Sequence, residues 1–228
     1  MRVAEIHNNK IVLEERPKIE LEDKTGAIVK VIGCGLCGSD IVKFREHISK
    51  DGTVLGHEIV AEIVEINSKT GFKIGDKIVA SHHIPCFKCA YCKGESYSMC
   101  QHFKSTNIRP GGFSEYVYLS EEHLENVTHP MPKNLTEEEA AFYEPLGCCV
   151  RAVKRAKLAP QSNVLVIGLG TIGLLMAQAL RAFGMNVYGC DIMDDRIELA
   201  KQHGINAFNS LDVEVAHKFI YSKTDEIG

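Results

Sequence analysis

Apolar residues in the first 127 positions come in short β-branched runs bounded by glycine and polar residues, and this pattern predicts β-strands. The four runs are GAIVKVIGCG (26–35), HEIVAEIVEI (57–66), GDKIVA (75–80) and FSEYVYLS (113–120). The third run opens on a Gly-Asp turn, and the fourth follows the Gly111-Gly112 pair. We therefore expect a β-rich first domain.

The pattern changes near residue 136. Thr136 and Glu139 have capping-box spacing and predict the start of a helix or a pair of helices. This helical segment is expected to reach about Leu158 and to end before Pro160.

Strands and helices alternate from Asn163 onward, and this alternation predicts a parallel sheet covered by helices. The expected strands are NVLVIGLG (163–170), NVYGCD (186–191) and NAFNS (206–210), and the expected helices are 171–183 and 194–203. The domains predicted from these patterns are a β-rich domain over 1–135, connecting helices over 136–160 and a nucleotide-binding region over 161–228.

Composition narrows the class of protein. Of the 228 residues, 45% are hydrophobic and 25% are charged, as in an ordinary soluble globular protein, and the net charge of -4 argues against nucleic-acid binding. The apolar run at 164–180 holds three glycines and Gln178, so it is expected to be a strand, a turn and a helix rather than a membrane span. No apolar leader opens the chain, and an odd count of nine cysteines favours metal ligation in a reducing cytoplasm over disulfides.

Four cysteines fall within the fifteen residues CFKCAYCKGESYSMC. They are Cys86, Cys89, Cys92 and Cys100. Thiolates this close together can hold a tetrahedral zinc ion, and four of them fill its coordination sphere. A filled site leaves no position for substrate, so this zinc is predicted to be structural. Unliganded thiols and an iron–sulfur cluster are the alternatives.

A second group of metal-binding residue types lies in GCGLCGSD (33–40) and GHE (56–58). Cys37 and His57 are ligands that zinc prefers, and Glu58 adds a carboxylate. Three or fewer protein ligands would leave a coordination position open, as in a catalytic zinc site. Glu144, within YEPLG, is a candidate fourth ligand or a residue that orients water. A buried structural role for His57 fits the local pattern nearly as well.

A glycine-rich turn follows the predicted strand at 163 and opens a helix. Its residues are Gly168, Gly170, Thr171, Ile172 and Gly173, in the G-x-G-x-x-G pattern that lets a backbone approach a pyrophosphate. Asp191 ends the next predicted strand, where a carboxylate binds ribose hydroxyls, so we expect a dinucleotide site that prefers NAD over NADP. Arg196, five residues further on, weakens that preference slightly.

Taken together, the motifs GLCGSD, GHE, GDKIV, the four-cysteine segment, GGFSEYV, EPLG and GLGTIG resemble the zinc-dependent medium-chain dehydrogenases, in the branch of the sorbitol and threonine dehydrogenases. The resemblance covers nearly the whole chain. It implies a GroES-like β-rich catalytic domain joined to an α/β Rossmann domain, two zinc ions, a small-molecule alcohol as substrate, and a homodimer or homotetramer.

The resemblance also implies roles for single residues. Cys37 and His57 would bind the catalytic zinc, with Glu58 and Glu144 as ligands that exchange with water, and Ser39 would relay the substrate proton. The zinc would activate a secondary alcohol, and hydride would pass to NAD. Polyols, sugar alcohols, sugar phosphates and hydroxy-amino acids all remain possible substrates.

Three features depart from the family pattern. Val42 stands where threonine dehydrogenases carry a relay histidine, Ala61 replaces a usual glycine, and the chain ends after the first half of a Rossmann sheet. We therefore expect little turnover from these 228 residues alone. A non-catalytic zinc- and nucleotide-binding module of the same fold is the alternative function.

The other cysteines and histidines are expected to be outside the chemistry. Buried, inert thiols are predicted for Cys34, Cys148, Cys149 and Cys190. Histidines outside GHE, including His82, His83 and His102, are predicted to lie at the surface.

Overall fold

The computed structural model describes residues 1–223 and divides the chain into two compact units, Met1–Glu144 and Pro145–Gly228. The division falls inside the segment predicted to connect the domains. The last five residues of the predicted nucleotide-binding region, 224–228, lie outside the described residues.

A five-stranded antiparallel sheet forms the body of the first unit, with strand order β6-β3-β4-β5-β7. A separate hairpin pairs β1 with β2. The strands are β1 (Arg2–His7), β2 (Lys10–Glu15), β3 (Gly26–Gly35), β4 (Glu58–Asn67), β5 (Lys77–Ala80), β6 (Tyr116–Ser120) and β7 (Thr128–Pro130).

Alternation along these strands builds the core. Val29, Ile63, Ile78, Val117 and Leu119 are completely buried in one cluster on the sheet. Burying each such side chain contributes about 1.5–3 kcal/mol relative to leaving it exposed. All four strands predicted from the sequence are present in this sheet, which confirms the β-rich first domain.

The first unit also contains short helices, and the last helix continues into the second unit. They are α1 (Gly38–Arg45), α2 (Ala90–Lys93), α3 (Gln101–Ser105), α4 (Glu121–Asn126), α5 (Glu137–Ala140) and α6 (Tyr143–Ala156), with a 3-10 turn at Tyr97–Met99. Thr136 caps α5 in the capping box predicted with Glu139, so the expected pair of helices is confirmed. Nothing in the sequence reading predicted α1, although its residues prove central to the site.

The second unit alternates strands and helices, as predicted. Its elements are β8 (Asn163–Ile167), α7 (Thr171–Ala182), β9 (Asn186–Asp191), α8 (Asp194–Gln202), β10 (Asn206–Asn209) and α9 (Val213–Tyr221). The strands are parallel in the order β10-β9-β8. Its core is a buried cluster that includes Leu169, Ala177, Leu180, Ile197 and Ile205. This is the parallel half-sheet covered by helices that was expected from the sequence.

Within the part of the chain that the structure describes, every helix is too short or too polar to cross a membrane.

Candidate functional site

The pairing of β3 with β4 brings the two predicted zinc-binding segments together. The strands run antiparallel, and Gly35 at the end of β3 lies opposite Glu58 at the start of β4. A Cβ at Gly35 would lie 2.1 Å from Glu58 Oε2, so a larger residue there would displace that carboxylate. The chain then enters α1, whose N-cap residue is Cys37.

Cys37, His57 and Glu58 converge in space. One ligand atom from each lies within 4.8 Å of the others, although Cys37 is twenty residues away from His57 in sequence. His57 and Glu58 are buried, and Cys37 is half-buried. A sulfur, an imidazole nitrogen and a carboxylate oxygen fit the donor preferences of zinc. Three such donors leave a coordination position for a further ligand.

Asp40 supports this group, and the sequence reading missed it. Its Oδ1 lies 3.4 Å from His57 Nδ1, which leaves Nε2 as the ring nitrogen for a metal. The same carboxylate accepts hydrogen bonds from the backbone N–H of Cys37 at 3.2 Å and of Gly56 at 3.4 Å. A buried carboxylate on the second nitrogen of a metal-binding histidine fixes its tautomer and its ring orientation. The signal was present as a capping box from Cys37 to Asp40.

The charges of this group are strongly coupled. Burial works against the charged form of His57, but the hydrogen bond and negative charge of Asp40 outweigh it and raise the pKa of His57 to about 9. For Asp40, burial is likewise outweighed by the hydrogen bond from His57, and the pKa of the carboxyl is lowered. Burial raises the pKa of Glu58. A zinc ion would therefore replace a proton on His57.

The other two predicted site residues, Ser39 and Glu144, lie outside the group formed by Cys37, His57 and Glu58. Ser39 is exposed in the first turn of α1, and its backbone N–H donates to Cys37 Sγ at 3.4 Å. Glu144 lies in the first turn of α6 with its side chain 19% exposed, and burial raises its pKa. Its Oε1 lies 3.9 Å from Nδ1 of His82. The ligand atoms that lie within 4.8 Å of one another belong to Cys37, His57 and Glu58 but not to Glu144, so its position suits an orienting role better than the predicted ligand role.

The surface prediction was wrong for His82 and His83, whereas His47, His129, His203 and His217 are exposed as predicted. His82 and His83 are half-buried at the end of β5, where the chain turns inward toward the cysteine-rich segment. The ring of His82 contacts those of His57 and His83, with centroids 4.5 and 3.9 Å away and ring planes tilted by 45° and 42°. Burial lowers the pKa of His82 to about 2, so its imidazole is neutral. His102 is half-buried too, with Nε2 2.7 Å from a carboxylate oxygen of Glu122.

The four-cysteine segment forms a compact cluster. One sulfur each of Cys86, Cys89, Cys92 and Cys100 lies within 4.8 Å of the others. The sulfurs of Cys86 and Cys92 are 3.9 Å apart. Two thiolates bound to one tetrahedral zinc at about 2.3 Å each would lie about 3.8 Å apart, so the spacing fits that ion.

Backbone N–H groups donate hydrogen bonds to two of these sulfurs. The N–H of Cys89 points at the sulfur of Cys86 at 3.4 Å, and the N–H of Cys86 points at that of Cys100 at 3.5 Å. Backbone N–H groups, that of Cys86 first, lower the pKa of Cys100 to about 6. A thiolate is the form that binds zinc, so this environment favours ligation by Cys100, whereas burial raises the pKa of Cys92 to about 12.

The remaining four cysteines differ in how far they are buried. Cys149 and Cys190 are buried, as predicted, and burial raises the pKa of each thiol. Cys34 is only half-buried, yet desolvation raises the pKa of its thiol to about 12. The prediction for Cys148 was wrong, because it lies on the outward face of α6 and is exposed.

The glycine-rich turn has the geometry that its spacing predicts. Gly168 has φ +90°, in the left-handed region, and Gly170 is the N-cap of α7. A Cβ on Gly173 would lie 1.8 Å from the carbonyl oxygen of Gly168, so the turn requires glycine there. Thr171 and Ile172 form the first turn of α7, where free backbone N–H groups can face a phosphate.

Asp191 lies at the carboxyl end of β9, beside this turn. Its carboxylate accepts hydrogen bonds from the backbone N–H groups of Leu169 at 2.7 Å, Ile192 at 2.8 Å and Met193 at 3.0 Å. The first of these is the main cause of the lowered pKa of Asp191. Arg196 Nη1 is 3.5 Å from the same carboxylate. An ionised carboxylate at this edge is placed as in dinucleotide-binding sheets.

Two family models match the chain. The alcohol dehydrogenase GroES-like domain matches residues 23–132, and the NAD-binding domain of D-isomer-specific 2-hydroxyacid dehydrogenases matches residues 147–218. The second describes a nucleotide-binding domain and covers most of the strands and helices of the second unit.

Curated relatives and solved structures agree with these models. A probable D-xylulose reductase A of Aspergillus terreus is 36% identical over 209 residues, which are 87% of this chain and 58% of that protein. Galactitol-1-phosphate dehydrogenase of Escherichia coli superposes with a TM-score of 0.80 at 30% identity, over 93% of this chain and 62% of that one. An alcohol dehydrogenase of Thermus sp. ATN1 superposes with a TM-score of 0.79 at 26% identity, over 92% of this chain and 63% of that one.

The chain thus spans about 60% of the length of these relatives. Over both of its regions it is similar to alcohol and polyol dehydrogenases, as its motifs predicted, and it has the GroES-like and Rossmann-type architecture of those proteins.

Proposed function

We propose that this chain carries the zinc site and the NAD-binding edge of a dehydrogenase that oxidises a secondary alcohol of the polyol class. The observation that supports this most is the convergence of Cys37, His57 and Glu58 within 4.8 Å, backed by the buried carboxylate of Asp40. The relatives named for D-xylulose and galactitol 1-phosphate support a polyhydric substrate.

Cys37, His57 and Glu58 would hold the catalytic zinc, and the four clustered cysteines would hold a structural zinc. When bound, a catalytic zinc supplies a Lewis acid that favours loss of the hydroxyl proton of an alcohol. Glu144, half-buried and near His82, would orient the substrate or water, and the exposed hydroxyl of Ser39 would take the proton toward solvent.

The glycine turn and Asp191 would bind the dinucleotide. The N-terminus of α7 would face the pyrophosphate, and Asp191 would accept hydrogen bonds from ribose hydroxyls. A 2′-phosphate would meet the negative charge of Asp191, so NAD is preferred over NADP. Asp191→Asn should narrow the ratio of NAD to NADP affinity by about tenfold or more. An unchanged ratio would contradict the assignment.

The activity is tested by measuring NADH production from xylitol and NAD by the zinc-loaded, full-length protein. Cys37→Ser should remove at least about 99% of the rate, since it takes away one of three ligands, while the fold measured by circular dichroism stays intact. Cys34→Ser is the matched control, because Cys34 lies outside the ligand group and should leave the rate within about twofold.

The same two variants, Cys37→Ser and Cys34→Ser, distinguish the proposed dehydrogenase from the alternative function. A non-catalytic zinc- and nucleotide-binding module would bind NAD and zinc, produce no NADH, and respond to Cys37→Ser only in metal content. A homodimer or homotetramer remains a prediction from the family resemblance.

A further inference from the structure

His82 is a partly buried polar side chain to which the proposed reaction assigns no role. Its Nδ1 is enclosed by protein and has no hydrogen-bond partner among residues 1–223. The whole side chain is only 15% exposed. Leaving such an atom unpaired is unfavourable, so native proteins seldom keep a buried polar atom without a partner.

The position of His82 is fixed from two sides. Its ring lies between the rings of His57 and His83, and its carbonyl oxygen lies 3.2 Å from Nε2 of His123. His123 is itself held by a 2.7 Å contact between Nδ1 and the hydroxyl of Ser120. Nδ1 of His82 is therefore a preorganised group beside the proposed zinc ligand His57.

Glu144 faces the same nitrogen. Its Oε1 lies 3.9 Å from Nδ1 of His82, too far for a direct hydrogen bond. A single oxygen atom between the two groups can bond both at ordinary lengths of about 2.8 Å. A hydroxyl suits this place because it can accept from a ring N–H and donate to a carboxylate at once.

We propose that His82 and Glu144 together bind a second hydroxyl of the substrate, on a carbon next to the one that is oxidised. The inference rests on the proposed function, because His57 marks where the reacting alcohol would lie. Its consequence is a preference for polyhydric over simple secondary alcohols. His82 is thus a specificity-determining residue, since removing its ring nitrogen leaves the zinc ligands in place.

The test measures binding rather than turnover. Xylitol and 2-butanol are titrated by ligand-observed NMR into the zinc-loaded protein, as wild type, His82→Phe and His82→Asn. His82→Phe should weaken xylitol binding about tenfold and change 2-butanol binding by less than about twofold. His82→Asn keeps a polar group near the position of Nδ1 and should restore most of the xylitol affinity. The control is His102→Phe, which replaces a histidine paired with Glu122 and should leave the binding of both alcohols unchanged.

Three results would overturn the proposal: no xylitol binding to the wild type, no loss in His82→Phe, or equal losses for both alcohols. Equal losses would mean that the ring only fills space. Since NAD is absent, hydride transfer does not enter the measurement. Selective xylitol binding by a protein that never yields NADH would refute the proposed function and leave the role of His82 standing.

Discussion

Replacing Asp40 by Asn tests how the zinc site is supported. The change keeps the size of the side chain and one acceptor for the N–H of Cys37, but removes the charge 3.4 Å from His57 Nδ1. The raised pKa of His57, about 9 against an ordinary 6.5, corresponds to roughly 3 kcal/mol in favour of the charged ring. Zinc also places positive charge on that ring, so Asp40 favours both the proton and the metal.

The effect of Asp40 on proton binding and its effect on zinc binding can be separated by changing the pH. Below the folded pKa of about 9, His57 of the wild type is protonated, and zinc must displace that proton. At pH 7, two units below that pKa, this competition costs the wild type about 3 kcal/mol, which offsets what Asp40 gives to zinc. Above pH 9 the competition ends, and only the support of Asp40 remains.

Zinc affinity of the Cys37 site is therefore measured by competition with a chelator in both proteins from pH 7 to pH 9.5. The wild type should bind zinc about as tightly as Asp40→Asn near pH 7 and about 10–100-fold more tightly above pH 9. Glu62→Gln, a half-buried carboxylate on β4 outside the site, should match the wild type throughout. A ratio that does not change with pH would refute the reasoning.

Two further changes test the supporting structure. Gly173→Ala places a Cβ 1.8 Å from the carbonyl oxygen of Gly168, so it should lower the free energy of unfolding by about 1–3 kcal/mol and weaken NAD binding. Its control is Gly147→Ala on α6, where a Cβ meets open space. That change should raise the free energy of unfolding by about 0.5–1 kcal/mol. A mild effect at Gly173, seen by urea unfolding, would contradict the tight turn. Cys100→Ser should remove the structural zinc and expose residues 86–100 to proteolysis, because metal binding folds such a segment, whereas Cys148→Ser should change neither zinc content nor digestion.

Local sequence signals predicted those parts of the molecule whose physics is local. The four cysteines and the glycine turn each fall within one short segment. Their spacing alone therefore predicted that the residues of each motif lie close together in the fold. Thr136 with Glu139 likewise determined where α5 begins. These elements need little from the rest of the chain.

The parts that were missed depend on tertiary packing. Asp40 becomes a partner of His57 only because the pairing of β3 with β4 sets α1 beside the start of β4. His82 turns inward because β5 ends next to His57, which no spacing in the sequence reveals. Cys148 and Cys149 are neighbours in sequence, yet one is exposed and one buried, because adjacent residues lie on different faces of α6.

The central claim is that Cys37, His57 and Glu58 hold a zinc ion distinct from that of the four clustered cysteines. Anomalous diffraction at the zinc absorption edge, from crystals of the zinc-loaded protein, tests it most directly. The account predicts two peaks, one among Cys86, Cys89, Cys92 and Cys100 and one among Cys37, His57 and Glu58. A single peak at the four cysteines, with the second position empty under saturating zinc, would contradict it.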